Sequence, residues 1–149
     1  MKEFFRGRFL GHPIHVMLIH FPSALLPISW LFDLMAFVNG DTNFAFAATY
    51  CLVAGVSGAI LAAIFGAIDY LAISPEHKAW KIASYHALFN VVWLVGFVIM
   101  TGIKLKINAV EQQVSFLYLL VYGILLAGLF VTNYLGGELV LRHKIGQRN

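Results

Sequence analysis

Four long apolar segments divide the chain, with short polar segments between them. Each apolar segment has the ~20 residues that a helix needs to cross the hydrocarbon core of a bilayer. Because short connections join consecutive spans, the spans alternate in direction. We therefore predict an all-α, up-down-up-down bundle of four transmembrane helices. The predicted spans are residues 14–38, 44–73, 82–103 and 114–136.

The amino-acid composition agrees with an integral membrane protein. Of the 149 residues, 60% are hydrophobic and only 11% are charged, and the mean hydropathy is +0.82. These values lie far outside the range of soluble domains. We predict one transmembrane domain over residues 1–149, with the lipid bilayer as its surroundings and without a separate soluble domain.

The basic residues are distributed unequally between the two ends of the predicted bundle. Four spans place both termini on one side, and eight of the ten Lys and Arg residues lie on that side. Lys104 and Lys106 are assigned to a polar loop, residues 104–113, on the other side. By the positive-inside rule, both termini are predicted to be cytoplasmic. The basic residues form a rim beside the membrane, so no nucleic-acid binding is predicted.

All six histidines fall at the bundle end that carries the termini. An ionisable side chain at or inside a span is costly and indicates a functional site by default. His20 and His86 lie at a similar depth in the first and third spans, so we predict that they face each other. The others are His12 and His15 at the start of the first span, His77 at the start of the third, and His143 after the fourth.

Two imidazoles that face each other between helices can hold the iron of a haem, with the porphyrin filling the space between the helices. Because Cys51 is the single cysteine, the chain has no Cys-x-x-Cys-His attachment site, and a haem here would be a non-covalent b-type haem. Asn90 follows His86 by one helical turn and is predicted to hydrogen-bond near the site. The alternative is that both histidines form only interfacial hydrogen bonds.

His15 and His143 are candidates for a second, shallower centre. His15 and His20 are five positions apart, which on an ideal helix turns them about 140° from each other. They cannot both bind one metal from an undistorted helix, but Pro22 is expected to kink the helix near Leu18. The second pair would hold another haem or a metal ion, or would form an interfacial hydrogen-bond network.

Small residues line one face of the second span. This stripe either lets a neighbouring helix approach closely or makes room for a flat ring system at Gly58 and Gly66, with Asp69 at the polar edge. In the outer part of the first span, Asp33 is expected either to relay protons or to extend toward the outer surface. We find no internal repeat. The stripe consists of Gly55, Gly58, Ala59, Ala62, Gly66 and Asp69.

Four short motifs follow one another along the chain, and together they resemble a known family. They are residues 15–22 (HVMLIHFP), 66–70 (GAIDY), 86–90 (HALFN) and 135–143 (LGGELVLRH). In this order the motifs resemble the DUF2231 family of small predicted bacterial membrane proteins. The resemblance implies the four-helix membrane fold, and relatives joined to cytochrome c-like or Rieske-type domains imply electron transfer. The matching positions are His15, His20, Asp69, His86, Asn90 and His143.

The sequence thus predicts a membrane-bound protein with one or two b-type haems that carries electrons, rather than a stand-alone enzyme. Quinone or a separate redox protein would exchange electrons at the cytoplasmic side, because no ligand pair is visible near the other side. A transition-metal site for zinc, copper or iron is one alternative. A structural or accessory subunit of a larger complex is another, and formation of a homo-oligomer is left open. The metal-site alternative draws on His12, His15, His20, His86 and His143.

Overall fold

The computed structural model describes residues 8–9, 12–110 and 114–145, and within these the chain is almost entirely helical. The prediction of an all-α protein with four spans is confirmed, because four helical segments are long and apolar enough to cross a membrane. They are Ile14–Asn39, Thr42–Leu71, Trp80–Ile107 and Phe116–Leu141. The elements are β1 (Arg8–Phe9), β2 (His12–Pro13), α1 (Ile14–Leu18), α2 (His20–Asn39), α3 (Thr42–Leu71), α4 (Trp80–Val110) and α5 (Phe116–Leu141).

The four spans form a closed bundle in which α2 and α4 lie diagonally opposite each other. α2 packs against α3, α3 against α4, α4 against α5, and α5 returns to α2. Hydrogen bonds between described residues join α2 to α5: Trp30 Nε1–H donates to the Leu119 carbonyl (2.9 Å), the Tyr122 hydroxyl to the Leu26 carbonyl (3.0 Å), and the Asn133 amide to the Ser23 hydroxyl (3.1 Å). The apolar centre of the bundle includes Leu26, Leu52, Val56, Phe97, Tyr122, Leu126 and Leu129.

The strands form a minimal antiparallel pair before the first span. Arg8 lies opposite Pro13 and Phe9 lies opposite His12. Two residues in each strand are too few to produce an alternating hydrophobic pattern. The sequence therefore did not predict this pair.

The first span is interrupted near its beginning, where the sequence predicted a kink. α1 ends at Leu18 and α2 begins at His20, with Ile19 between them. Pro22 has no N–H to donate to the Leu18 carbonyl, and its ring crowds that carbonyl. Ile19 itself keeps right-handed helical dihedral angles (φ −61°, ψ −19°), so α1 and α2 together form one span.

The connection between α3 and α4 lies close to where the sequence predicted it. The second span was predicted to end at residue 73 and the third to begin at residue 82. In the structure, α3 ends at Leu71, residues 72–79 form turns, and α4 begins at Trp80. The Ala79 N–H donates to His77 Nδ1 (3.1 Å), so this histidine stabilises the turn from the surface.

The prediction of a polar loop over residues 104–113 is wrong in its first part. α4 continues to Val110, and Lys104 lies inside the bundle as part of the helix. The hydropathy pattern could not show this, because a lysine lowers local hydropathy whether its side chain is exposed or paired. The predicted residues 111–113 lie outside the described part of the chain.

Small residues on α3 allow α2 to approach closely. A Cβ atom added at Gly55 would lie 2.9 Å from Leu26, and one added at Gly58 would lie 2.7 Å from Phe21. Both distances are shorter than van der Waals contact. Along this part of the stripe, the small residues therefore serve helix–helix packing, the first of the two predicted interpretations.

One buried ion pair crosses the bundle. Lys104 on α4 donates to Asp33 on α2, and both side chains are fully buried. The expectation that Asp33 extends to the outer surface is therefore wrong. Charged groups are stable inside a membrane bundle only when they are paired, so this pair holds two diagonally opposite helices together.

We expect Lys104→Met to destabilise the protein by about 3–5 kcal/mol, because it leaves the Asp33 carboxylate buried without a counter-charge. The free energy of unfolding can be measured in detergent by titration with a denaturing detergent. Lys106→Met is the matched control, because Lys106 is an exposed residue of the same helix. Equal stability of the two variants would contradict the prediction. Replacing both partners, by Asp33→Leu and Lys104→Met together, should restore much of the loss.

Candidate histidine site

Two histidine rings meet inside the bundle at the end where α1 and α4 begin. The ring centres of His15 and His86 are 6.5 Å apart, and the planes are nearly perpendicular, at 82°. Both residues are half-buried. We call His15 and His86 the histidine pair.

The position of His15 is determined by α3. Its Nδ1 lies 2.7 Å from the carbonyl oxygen of Ala62, which can only accept, so Nδ1 carries the proton. The ring lies on Gly66, where an added Cβ would be 2.9 Å from both Cε1 and Nδ1. Gly66 therefore does make room for a flat ring, but that ring is the imidazole of His15.

The position of His86 is determined by α5 in the same way. Its Nδ1 lies 3.0 Å from the Thr132 carbonyl oxygen, and an added Cβ at Gly136 would be 2.8 Å from its Cε1. The amide nitrogen of Asn90, one turn further along α4, donates to the His86 carbonyl (2.8 Å) and lies 3.1 Å from His86 Nε2. Asn90 thus hydrogen-bonds at the site, in agreement with the prediction.

The two halves of the chain hold their histidine rings in the same way. In each half, the carbonyl acceptor precedes the glycine by four residues: Ala62 and Gly66 on α3, Thr132 and Gly136 on α5. One turn earlier, each of these helices has another glycine that packs against the first or third span. A Cβ atom added at Gly58 would meet Phe21 and Pro22, and one added at Gly128 would meet Trp93.

This repeated arrangement was not recognised in the sequence, where no internal repeat was found. The signal is two glycines eight positions apart in each even-numbered span, 58 and 66 in one, 128 and 136 in the other. The residues between them differ, so a search for similar residues does not detect it. No role for Thr132 was predicted from the sequence.

The structure corrects the pairing of the histidines. His20 was predicted to face His86, but its side chain is exposed, and its Nδ1 lies 3.2 Å from the Met17 carbonyl on α1. The predicted divergence of His15 and His20 around the helix holds, yet it is His15 that points inward. The prediction compared the depth of each histidine along its span. Whether a histidine enters the bundle depends instead on which face of the helix is buried. That face is marked by a seven-residue spacing: His15, then buried Pro22, Ser29 and Ala36.

Two further predicted positions, His143 and Asp69, lie at the same end of the bundle as the histidine pair. His143 follows α5 and is half-buried, and no described hydrogen bond or ring contact links it to His15. Asp69 lies in the last turn of α3, three positions after Gly66. The side chain of His12 lies outside the described part of the structure. Among the described residues, no group of three or more His, Cys, Asp or Glu side chains could hold a metal ion.

The histidine pair has the chemistry to bind a metal centre from two sides. With Nδ1–H donated to a carbonyl, each ring is held as the tautomer whose Nε2 carries the lone pair that would bind a metal, and at His86 the Asn90 amide lies beside this atom. Trp93, seven positions after His86, has a buried Nε1–H without a hydrogen-bond partner. Such a donor is available to a bound group.

The fold and the site together define a small four-span membrane protein with a histidine pair inside its bundle. A family model described as "Predicted membrane protein (DUF2231)" matches residues 11–149. The chain therefore belongs to the DUF2231 family, as its four motifs predicted. No curated protein and no solved structure matches it.

We expect Gly136→Ala to displace the His86 ring, because the new methyl group would overlap Cε1. Overpacking of this kind costs about 1–3 kcal/mol. The measurement is the midpoint of thermal unfolding in detergent, together with the NMR signal of the hydrogen-bonded His86 Nδ1 proton. Gly137→Ala is the control, because an added Cβ there has nothing within 4 Å and alanine favours the helix. A Gly136→Ala protein with an unchanged Nδ1 signal would contradict the described packing.

Proposed function

We propose that this protein is a b-type haem protein of a bacterial inner membrane that passes electrons. In this proposal His15 and His86 are the axial ligands, and the haem lies between the two halves of the bundle. The observation that carries the proposal is the histidine pair itself: two diagonally opposed imidazoles, each held by a backbone carbonyl through Nδ1. Compared with the sequence prediction, His86 is retained and His15 replaces His20.

The way in which the rings are held supports an axial-ligand role. Histidine ligands of metals usually donate the second ring N–H to a carbonyl or carboxylate, which fixes the tautomer and the ring orientation. Here Ala62 and Thr132 provide those carbonyls from the partner helix of each half. Each half of the bundle thus orients its own ligand, and a group bound by both would join the halves.

The polar groups beside the pair would help to orient a bound haem. A haem, when bound, supplies reversible one-electron chemistry at its iron. The protein's own residues would bind it, orient it and exclude water from it. Asn90, held on the His86 carbonyl, restricts rotation of the ring. The unpartnered Nε1–H of Trp93 offers one hydrogen bond.

Electron exchange is proposed to occur only at the end of the bundle that carries the termini. Between the histidine pair and the Asp33–Lys104 pair lies the apolar centre of the bundle, which includes Leu26 and Phe97. No second pair of histidines occurs toward the other end, since all six lie at one end of the sequence-defined bundle. Quinone or a separate redox protein is the proposed partner.

The alternative of a metal-ion site has less support, because the pair supplies only two ligands. Protein sites for zinc usually have three or four protein ligands. The described residues offer no group of three.

His15→Ala and His86→Ala are each expected to abolish haem binding, because each removes one axial ligand. The measurement is the absorption spectrum of the purified protein, which for the unmodified chain should show a Soret band and a reducible α-band. His20→Ala is the matched control and should retain both bands, because His20 is exposed on the opposite side of the same span.

The outcomes separate the alternatives. Loss of the bands in His20→Ala but not in His15→Ala would restore the pairing predicted from the sequence. A colourless protein with one equivalent of zinc, copper or iron by elemental analysis would favour the metal-ion site. A protein with neither would favour an accessory subunit.

Both termini are proposed to be cytoplasmic, because most Lys and Arg residues lie at their end of the bundle. The burial of Lys104 strengthens this bias, since it removes one of the two lysines assigned to the other side. A fluorescent protein fused after the last residue should fluoresce in cells, and alkaline phosphatase fused there should be inactive. The reverse pattern would contradict the orientation.

A further inference from the structure

The end of the bundle opposite the histidine pair contains a second polar cluster, made of Asp33, Lys104 and Tyr118. All three side chains are at least nine-tenths buried, and they come from three different helices, α2, α4 and α5. The proposed electron-transfer function does not use this cluster.

Two atoms of the cluster lack a hydrogen-bond partner. One Asp33 oxygen accepts from Lys104, but the other, Oδ2, is buried without a partner, and so is the Tyr118 hydroxyl. The third such atom in the described part of the chain is Trp93 Nε1, on α4 two turns after His86. Buried polar atoms that remain unpaired are costly, and an internal water or ion commonly satisfies them.

The other polar groups around the cluster are satisfied by the protein. The Ser29 hydroxyl donates to the Ala48 carbonyl (2.8 Å), and the Tyr122 hydroxyl donates to the Leu26 carbonyl (3.0 Å). The Tyr118 ring packs against Tyr122, with ring centres 6.0 Å apart. Trp30, three positions before Asp33, donates to the carbonyl of Leu119, the residue after Tyr118, so the turns that carry Asp33 and Tyr118 lie side by side on α2 and α5. The unmet hydrogen bonds are therefore confined to two atoms at the same level of the bundle.

The chemistry of these two atoms defines what would fit between them. A carboxylate oxygen only accepts hydrogen bonds, and the Tyr118 hydroxyl has a proton to donate. The missing partner must therefore both donate and accept. It must be neutral, because Lys104 already balances the charge of Asp33, and it must be small, because both atoms are enclosed. Water meets all of these conditions.

We propose that one water molecule binds inside the membrane bundle between Asp33 Oδ2 and the Tyr118 hydroxyl. This water completes the hydrogen bonds of the carboxylate and so keeps the Asp33–Lys104 pair charged within the membrane. It also connects α5 to the diagonal contact between α2 and α4. The cluster is thereby a hydrated site that links three of the four spans.

The test compares Tyr118→Phe with Tyr122→Phe in the full-length protein. Each variant loses one buried hydroxyl, but only Tyr118 would contact the water. Carboxylate bands of Asp33 are identified by infrared difference spectroscopy against the Asp33→Asn, Lys104→Met double variant, which avoids leaving an unpaired charge. The water is identified by a stretching band that shifts when the sample is equilibrated with ¹⁸O-labelled water.

A bound water predicts three results. The labelled-water band is present in the unmodified protein and lost in Tyr118→Phe, and the Asp33 carboxylate bands shift in Tyr118→Phe but not in Tyr122→Phe. The midpoint of thermal unfolding falls by a few degrees in Tyr118→Phe, because the water loses a partner.

Two other results would overturn the proposal. Shifted carboxylate bands without a labelled-water band indicate a direct bond from Tyr118 to Asp33. An unchanged or raised unfolding midpoint in Tyr118→Phe, with unshifted bands, indicates that the hydroxyl has no partner, because removing an unpaired buried hydroxyl does not destabilise a protein.

Discussion

Polar side chains inside a membrane bundle must find their partners within the protein, because the hydrocarbon around it offers none. This constraint governs both ends of the bundle. At one end, His15 and His86 each donate to a carbonyl on a neighbouring helix. At the other end, Asp33 and Lys104 pair across the bundle. Each pair takes one residue from the first span and one from the third, and the two residues of each pair are separated by the same 71 positions. The two spans therefore face each other in one continuous register.

Glycine makes the histidine contacts geometrically achievable. A carbonyl that already accepts within its own helix is accessible to a side chain on a neighbouring helix only if the two backbones approach closely. Gly66 and Gly136 provide that approach, and in each case a Cβ atom would occupy the position of the imidazole. The same glycines that permit tight packing thus determine the orientation of the rings. Packing and the candidate site cannot be separated in this protein.

The two polar ends differ in the chemistry that they offer. The histidine pair offers one Nε2 atom from each ring as a metal ligand, which supports the proposed haem. The Asp33–Lys104 pair is balanced in charge and enclosed, which suits an internal water rather than an exchangeable ligand. The apolar centre of the bundle lies between them. The molecule therefore concentrates its proposed redox chemistry at one membrane surface and its structural polar contacts near the other.

The sequence by itself determined the class of protein, the four spans, the family and the break near Pro22. These follow from hydropathy, from residue order and from the missing N–H of proline, all of which are local properties. It also indicated His86 and Asn90, because their helical spacing is local. Only the tertiary structure decided that His15, not His20, approaches His86, and that Lys104 is buried against Asp33. Both facts depend on how each helix is rotated about its own axis, and that rotation is determined by the glycines and the buried charges of other helices.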